Sequence, residues 1–409
     1  MTSGSARVVA RLRKLNEASD AEGALTRLTL TPAHAQAAAM VKRWMEAAGL
    51  AARIDGVGNV VGRREGATPA AKTLIIGSHI DTVRNAGSYD GILGVILGIE
   101  ACARLNERGK SLPYAIEVVA FGDEEGVRFP TSLTGSRALA GTFDPASLDS
   151  VDEDGVSRRD ALLAFGCDPS RIAAEARDPS RTLGYIELHI EQGPVLEARN
   201  LALGLVTAIN GGSRGEIVVE GVAGHAGTLP MNMRHDALAA AAEMVLAIEA
   251  IGRNGGDLVA TVGRIEAPNG AVNVVPGLVR MSLDVRSPRD EDRVRALADI
   301  RAAMANIAAA RGVKADLNVS YDMPAAPCDM ALSGAFARSF VRCGHPVFRL
   351  PSGAGHDAMA FRGRLPQAMV FIRCRGGVSH RPDEYAAQAD IAAALAVLDD
   401  FLETIGADL

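Results

Sequence analysis

Residues 73–121 read TLIIGSHIDTVRNAGSYDGILGVILGIEACARLNERGKSLPYAIEVVAF, and this stretch decides the fold class. It opens with TLIIG, a short apolar run of the kind found in buried strands. Residues 91–108 have the apolar periodicity and length of a helix, and residues 114–121 form a second apolar strand pattern. Together with a long helical pattern over residues 33–49, this alternation of strands and helices predicts an α/β fold.

Further along the chain the order of the predicted elements changes. Strands are predicted over 216–221, 258–265, 278–285 and 313–321, and helices over 235–253 and 289–311. The order β-α-β-β-α-β is that of a ferredoxin-like unit. The α/β pattern resumes with a strand over 367–372 and a closing helix over 388–405. We therefore expect a discontinuous main domain, residues 1–212 and 325–409, interrupted by an inserted α+β domain over residues 213–324.

The composition excludes several classes of protein. The chain has 409 residues, of which 48% are hydrophobic and 22% charged, the balance of a globular enzyme. Its 43 basic and 49 acidic side chains are intermixed, so we expect neither a nucleic-acid nor a membrane partner. The longest apolar run, residues 91–99, is far shorter than the roughly 20 residues of a membrane span. The absence of a signal-peptide pattern and of any C-x-x-C pair predicts a cytoplasmic protein with reduced cysteines.

Histidines and acids follow the predicted strands. His79 comes directly after TLIIG, and Asp81 stands two residues further on, where its carboxylate can accept the second N–H of the imidazole. Taken alone, this cluster fits a metal ligand and a histidine satisfied by a local turn about equally. Asp90 lies in a turn ahead of a helix, and the triple acid Asp123, Glu124 and Glu125 follows the second strand. Without a cation such a triple acid fits only a solvated turn.

Two further histidines also lie in sequence motifs that contain acidic residues. His189 lies in ELHIEQGP and His380 in VSHRPDE, whereas His34 and His345 have no acidic or glycine-rich neighbours and fit a structural or surface role. The histidines and carboxylates from separate strand ends form the mixed nitrogen and oxygen set that suits Zn²⁺, Mn²⁺ or Co²⁺.

These residues lie in motifs that resemble the metal-dependent amidohydrolases of the hydantoinase/carbamoylase group, relatives of the aminoacylase-like metallopeptidases. The motifs run in order along nearly the whole chain: GSHIDTV, YDGILGV, GDEEGVRF, ELHIEQGP, GHAGTLPM, RHDA, SGAGHDA and VSHRPDE. The resemblance implies a mixed-sheet metallopeptidase-like catalytic domain and a ferredoxin-like insertion that serves as lid and dimerisation domain.

The resemblance also implies a site with two divalent ions, Zn, Mn or Co. Asp90 would bridge the ions, with His79 and His189 on one ion and Glu125 and His380 on the other. Glu124 would be the general base that takes a proton from a metal-bridging water, with Asp81 as a further catalytic residue.

The substrate side of the site is likewise implied by the resemblance. Arg286 ends the strand MSLDVR and matches a carboxylate-binding arginine, with Asn273, Gln192 and Asn210 as polar partners. His225 matches a histidine that reaches the active site of the other subunit of a homodimer and stabilises the oxyanion. In that homodimer Asn273 and Arg286 would be donated in the same way.

The loop SGAGHDA leaves two interpretations open. Gly355 and His356 fit substrate contacts through the backbone N–H groups, and the same residues fit a role in stabilising the loop.

The predicted function is hydrolysis of the carbamoyl amide of a carboxylate-bearing ureido compound, either allantoate or an N-carbamoyl-L-amino acid, with release of ammonia and carbon dioxide. A dipeptidase or aminoacylase of the same fold is the alternative, disfavoured by a histidine at position 189, where related dipeptidases often carry a carboxylate. A scaffold protein without chemistry would be expected to lack a ligand or the base, and this chain has all of them.

Overall fold

The computed structural model describes residues 3–408, with side chains described up to residue 406. Its α-helices are α1 Gly4–Leu15, α2 Pro32–Ala47, α3 Ile92–Glu107, α4 Thr134–Ala140, α5 Arg158–Phe165, α6 Val195–Ala198, α7 Ala237–Asn254, α8 Asp290–Arg311, α9 Met330–Arg342 and α10 Gln388–Asp408. Short 3₁₀ helices are Pro145–Asp149, Pro169–Glu175, Pro179–Arg181, Met231–Met233, Asp357–Phe361 and Arg375–Gly377.

The strands are β1 Ala51–Ile54, β2 Val60–Arg64, β3 Thr73–His79, β4 Ala115–Phe121, β5 Thr182–Ile190, β6 Leu203–Ile209, β7 Gly211–Glu220, β8 Gly224–His225, β9 Val259–Thr261, β10 Ile265–Glu266, β11 Val274–Val275, β12 Leu278–Ser287, β13 Lys314–Met323, β14 Ala326–Pro327, β15 Arg349–Ser352 and β16 Gln367–Ile372. Among the described residues, no helix has both the length and the apolar character that crossing a bilayer requires.

The chain divides into two compact units. The larger comprises the described residues up to Thr207, together with Cys328–Leu350 and the chain from Ala354 onwards. The smaller comprises Ala208–Pro327 and Pro351–Gly353. The boundaries expected at residues 213 and 324 lie at paired strand ends, because Gly212 of β7 is in register with Met323 of β13. The role of the smaller unit as a lid or dimerisation domain stays a prediction.

The larger unit is built on a mixed sheet, which confirms the predicted α/β fold. The strands follow the order β1-β2-β4-β3-β5-β16-β6, with β3, β4, β5 and β16 parallel and the outer pairs antiparallel. All residues of β3 and β4 are buried, as expected of parallel strands covered on both faces. Because β3 and β4 are parallel with His79 in register with Phe121, the segments that follow them leave the sheet at one edge.

Helix α3 lies directly on this sheet. It is apolar almost all round, with twelve buried residues, as expected of a helix enclosed in the core. A Cβ on Gly94 would lie 2.2 Å from the carbonyl oxygen of Leu188 in β5, so only glycine permits this close approach. The approach delivers the turn before α3, which carries Asp90, to the same edge of the sheet.

The smaller unit contains an antiparallel sheet in the order β10-β12-β7-β13, with β9 also paired to β12. Its helices α7 and α8 contribute to one core with the buried side chains of the sheet. The single strand expected over residues 258–265 is wrong, because it is broken into β9 and β10. The backbone N–H groups of Gly263 and Arg264 donate to the hydroxyl of Ser282 in β12 at 3.2 and 3.0 Å. These side-chain contacts interrupt the pairing with β12 between the end of β9 and the start of β10.

Candidate metal centre

Asp90 stands at the centre of the candidate site and is buried. Its Oδ1 lies 3.1 Å from Nε2 of His189 and 3.7 Å from Nε2 of His79, and its Oδ2 lies 3.0 Å from Nε2 of His380. The turn is fixed by Glu384, whose Oε1 accepts the backbone N–H of Asp90 at 3.0 Å. One carboxylate therefore faces three imidazoles from three separate segments of the chain.

The two buried histidines hold their rings in one tautomer. Nδ1 of His79 lies 3.0 Å from the carbonyl oxygen of Asp81, and Nδ1 of His189 lies 2.9 Å from that of Ile190. Because a carbonyl can only accept, Nδ1 carries the proton and Nε2 presents its lone pair. The backbone N–H of Gly91 donates to Nε2 of His189 at 3.2 Å, as this tautomer requires. Backbone carbonyls commonly orient metal-binding histidines in this way.

The carboxylate of Asp81 has a different role from the one expected. It lies 3.7 Å from Nδ1 of His79, beyond hydrogen-bond distance, so it does not accept the imidazole N–H. It accepts instead the backbone N–H groups of Glu124 at 3.1 Å and Glu125 at 3.2 Å. Since the backbone of Asp81 orients His79 and its side chain holds the acidic turn, this residue ties two segments of the site together.

The three consecutive acids after β4 have two different environments. Asp123 has a left-handed backbone with φ of +73° and is buried, and its carboxylate pairs with Arg158 and accepts from the Thr134 hydroxyl at 2.5 Å. Its Oδ2 is therefore engaged in an internal ion pair. Glu124 and Glu125 instead form a group with His79 whose possible ligand atoms lie within 4.8 Å of one another.

Burial and neighbouring charges shift the pKa values of the site strongly. Burial, with a further contribution from Asp90, raises the pKa of Glu125 to about 7, and burial also raises the pKa of Glu124 well above its usual value. Burial opposes ionisation of Asp90, but the imidazoles of His189, His380 and His79 around its carboxylate hold its pKa well below its usual range. The hydrogen bond to Asp90 raises the pKa of His380 to about 9. Carboxylates buried this close together require compensating positive charge.

The donor set fits divalent cations. Two groups of possible ligands share Asp90: one with His79 and His189, the other with Glu125 and His380. Within the described chain, the buried Oδ1 of Asp90 accepts no hydrogen bond, although Nε2 of His189 is 3.1 Å away. That oxygen and the imidazole lone pairs thus converge without a proton between them, the arrangement of ligands around a cation. Mixed imidazole and carboxylate sets suit Zn²⁺, Mn²⁺ and Co²⁺.

Buried residues pack around His189 on the interior side of the site. Glu187 accepts from the Ser78 hydroxyl at 2.8 Å and from the backbone N–H of Ala358 at 3.1 Å, so its carboxylate is engaged. The ring of His356 is buried and lies edge-on to that of His189, with ring centroids 4.5 Å apart. This burial favours loop and ring support over a substrate contact by the His356 side chain. A Cβ on the neighbouring Gly355 would lie 3.9 Å from Oε1 of Glu124, so this glycine lines the acidic side.

Two polar side chains donate to the second oxygen of Asp90, and Glu384 supports one of them. Gln192, a predicted substrate partner, donates from Nε2 to Oδ2 of Asp90 at 3.1 Å, and its left-handed φ of +57° turns it into the site. The Ser379 hydroxyl donates to the same oxygen at 3.1 Å and lies 3.0 Å from Oε2 of Glu384. Sequence reasoning missed Ser379 and Glu384, for which the only signal was membership of the motif VSHRPDE that carries His380.

The other predicted substrate residues belong to the smaller unit. His225 and Asn273 are exposed, on or beside the short ladder of β8 and β11, where the carbonyl of Asn273 accepts the N–H of Ala226 at 2.9 Å. Nδ1 of His225 accepts the N–H of Gly227 at 3.0 Å, so in the neutral ring Nε2 is a donor. The Oδ1 of Asn210 is buried and accepts no hydrogen bond from the described residues.

Arg286 lines a cavity of about 620 Å³ in the smaller unit. Its guanidinium donates from Nε and Nη2 to the two oxygens of Asp284, each at 2.9 Å. Nη1 donates to the carbonyl of Gly353 at 2.7 Å.

Comparison with known proteins identifies the family and the relatives that this chain resembles. Residues 75–404 match the profile of Peptidase family M20/M25/M40. The chain is 40% identical over 95% of its length to an N-carbamoyl-L-amino acid amidohydrolase of Geobacillus stearothermophilus, of which it covers 95%. It is 39% identical over 97% of its length to allantoate deiminase 1 of Glycine max, of which it covers 89%. A crystal structure of an amidase of the hydantoinase/carbamoylase family from Burkholderia multivorans aligns with a TM-score of 0.92 at 33% identity, covering 98% of both chains.

Proposed function

The chain belongs to Peptidase family M20/M25/M40, in its hydantoinase/carbamoylase group, and on that premise we propose that it hydrolyses the carbamoyl C–N bond of a carboxylate-bearing ureido compound. Water cleaves R–NH–CO–NH₂ and releases ammonia, carbon dioxide and the amine R–NH₂. The observation that carries the proposal is Asp90, shared by two groups of possible metal ligands beside Glu124, in a chain about 40% identical to an N-carbamoyl-L-amino acid amidohydrolase.

The site contains two sets of possible ligands, one for each of two divalent cations. His79, Asp90 and His189 form one set of ligands, and Asp90, Glu125 and His380 form the other. When bound there, such cations polarise a carbonyl oxygen and lower the pKa of water that attacks it.

Glu124 is the general base. It is next to the ligand Glu125, its backbone N–H is held by Asp81, and its buried carboxylate has a pKa raised well above the usual value, by burial above all. A carboxylate with a raised pKa accepts a proton from the attacking water and returns it to the leaving nitrogen near neutral pH. The Asp81 contacts keep this carboxylate in place through both transfers.

Residues of the smaller unit recognise the substrate. Arg286 binds the substrate carboxylate through N–H groups not used by Asp284 or Gly353, and Asn273 and Asn210 supply amide groups. The exposed Nε2–H of His225 stabilises the oxyanion of the tetrahedral intermediate.

The protein works as a homodimer in which His225, Asn273 and Arg286 of one protomer serve the metal site of the other. The exposure of His225 and Asn273 supports this proposal. Co-expression of the two inactive variants E124Q and H225N tests it, because only the mixed dimer then contains one site with both groups intact. Random pairing predicts recovery of about a quarter of wild-type activity. Recovery of none would show that each protomer uses its own His225.

Location in the cytoplasm is part of the proposal. The cysteines are free, as expected in a reducing compartment: Cys102, Cys167, Cys328, Cys343 and Cys374.

Ammonia release by metal-stripped protein reloaded with Mn²⁺, Co²⁺ or Zn²⁺ identifies the substrate. Allantoate and a panel of N-carbamoyl-L-amino acids are assayed side by side, with dipeptides and N-acetyl amino acids as controls. Turnover of allantoate alone, or of the carbamoyl amino acids, supports the proposal and selects between the two. Turnover of the dipeptides or N-acetyl compounds alone would overturn it.

A further inference from the structure

One face of the antiparallel sheet in the smaller unit carries a cluster of charged side chains around Arg286. In β12 the side chains alternate, so that residues 279, 281, 283 and 285 are buried in the core. The residues between them, including Ser282, Asp284 and Arg286, lie on the opposite face, where they line the cavity of about 620 Å³.

Asp284 lies between two guanidinium groups. It accepts Nε and Nη2 of Arg286 at 2.9 Å each, in the two-bond geometry that fixes a guanidinium plane. Nε of Arg214, on the neighbouring strand, donates at 3.1 Å to Oδ2, the oxygen that also accepts Nη2 of Arg286. Arg214 is directly opposite Asp284 in the pairing of β7 with β12, and its guanidinium carbon lies 5.1 Å from the ring centroid of Tyr321. The carboxylate is therefore held by a second guanidinium in addition to that of Arg286.

We propose that Asp284 is a positioning residue that presents Arg286 to the substrate carboxylate, an inference that rests on the proposed function. A guanidinium has five N–H donors. Asp284 takes one from Nε and one from Nη2, and the carbonyl of Gly353 takes one from Nη1. One N–H remains on Nη1 and one on Nη2, the two nitrogens that a carboxylate can bind together from the end of the group.

The charges of the cluster agree with this role. Two arginines and one aspartate leave one net positive charge in the cavity, which matches one substrate carboxylate. The hydrogen bonds to Asp284 raise the pKa of Arg286, and although burial opposes ionisation of Asp284, its hydrogen bonds with Arg286 lower its pKa. Asp284 therefore stays ionised and remains an acceptor for Arg286.

An alternative role for Asp284, competition with the substrate, predicts the opposite change in KM. If Asp284 competed with the substrate for Arg286, its removal would free the guanidinium and lower KM. If it positions Arg286, its removal leaves a long flexible side chain that loses rotamer freedom on binding, and KM rises.

The test compares D284N with wild-type holoenzyme in steady-state kinetics on the ureido acid that wild type hydrolyses. We expect KM to rise roughly tenfold, the loss of a charge-assisted contact to the binding group, with kcat within about twofold. D284E, which keeps the charge, should restore part of the loss. R214Q, which removes the second guanidinium bound to Asp284, should raise KM about two- to threefold.

E216Q is the matched control, because Glu216 pairs with Arg280 at 3.0 Å on the same sheet and loses the same charge. Its KM should equal that of wild type. Unchanged or lowered KM in D284N and R214Q, with wild type active, would overturn the inference and leave the proposed function standing. Wild type inactive on every ureido acid would overturn the proposed function and this inference with it.

Discussion

Replacing Gly91 with alanine tests whether His79 stands where a metal ligand must stand. Gly91 precedes α3 with a φ of +66°, a conformation that costs a residue with a Cβ about 1–2 kcal/mol. An ideal Cβ at this position would lie 2.4 Å from Nε2 of His79 and 2.4 Å from its Cδ2. Ordinary contact begins at 3.4 Å, so the imidazole would have to move by about 1 Å.

Such a shift exceeds the tolerance of a metal site. Zn–N bonds are about 2.0–2.1 Å long, and sites tolerate deviations of about 0.2 Å. Loss of a contact behind a ligand typically costs 10–100-fold in metal affinity. Displacement of the ligand itself should therefore weaken one metal position of G91A by roughly 100-fold or more, with a parallel loss of kcat/KM.

The assay is competition of Zn²⁺ or Mn²⁺ binding against a chromophoric chelator, with thermal unfolding measured on the same samples. G109A is the matched control, because Gly109 has a φ of +60° and a Cβ there would meet nothing within 4 Å. Both variants should lose about 1–2 kcal/mol of unfolding free energy from the left-handed backbone, G91A should lose more because its Cβ meets His79, and only G91A should lose metal. Wild-type metal affinity in G91A would refute the placement of His79 at a metal.

Three further predictions concern the side chains of Glu124, Asp81 and His34. E124Q should lose about 10²–10⁴-fold in kcat with its metal content unchanged, because only the proton acceptor is removed; an unaltered kcat would exclude Glu124 as the base. D81N, which can accept through only one oxygen, should release one of the two N–H groups of the acidic turn and lower kcat about tenfold at an unchanged KM. Burial lowers the pKa of His34 to about 3 from 6.5, so its contribution to stability is complete above pH 6.5 and falls below it, by about 1.4 kcal/mol per pH unit. In urea unfolding between pH 6.5 and 4.5, H34N should therefore lose less stability than wild type, and equal slopes would contradict the buried neutral ring.

The parts of the site that were predictable from sequence depend on local pattern. An apolar run followed by a histidine, or by acids, marks the end of a buried strand, and the structure places His79 as the last residue of β3 and Glu124 just after β4. Parallel pairing then brings these residues to one edge whatever the rest of the chain does.

The parts that were not predictable depend on distant contacts or on orientation. Glu384 holds the turn of Asp90 across 294 positions of sequence, and no local pattern announces such a contact. Whether the side chain or the backbone of Asp81 faces His79 depends on the turn between them. In contrast, the pairing of Asp284 with Arg286 had a usable signal, because residues two apart on a strand share a face.

We propose that a metal centre shared through Asp90 performs ureido hydrolysis. The most direct test of this proposal is a titration of chelator-stripped protein with Mn²⁺ or Zn²⁺, in which bound metal and ammonia release from the ureido substrate are measured together. We expect no activity without metal and a plateau at two ions per chain. Full ammonia release by the stripped protein, or metal-loaded protein that binds no more than one ion at full activity, would contradict it.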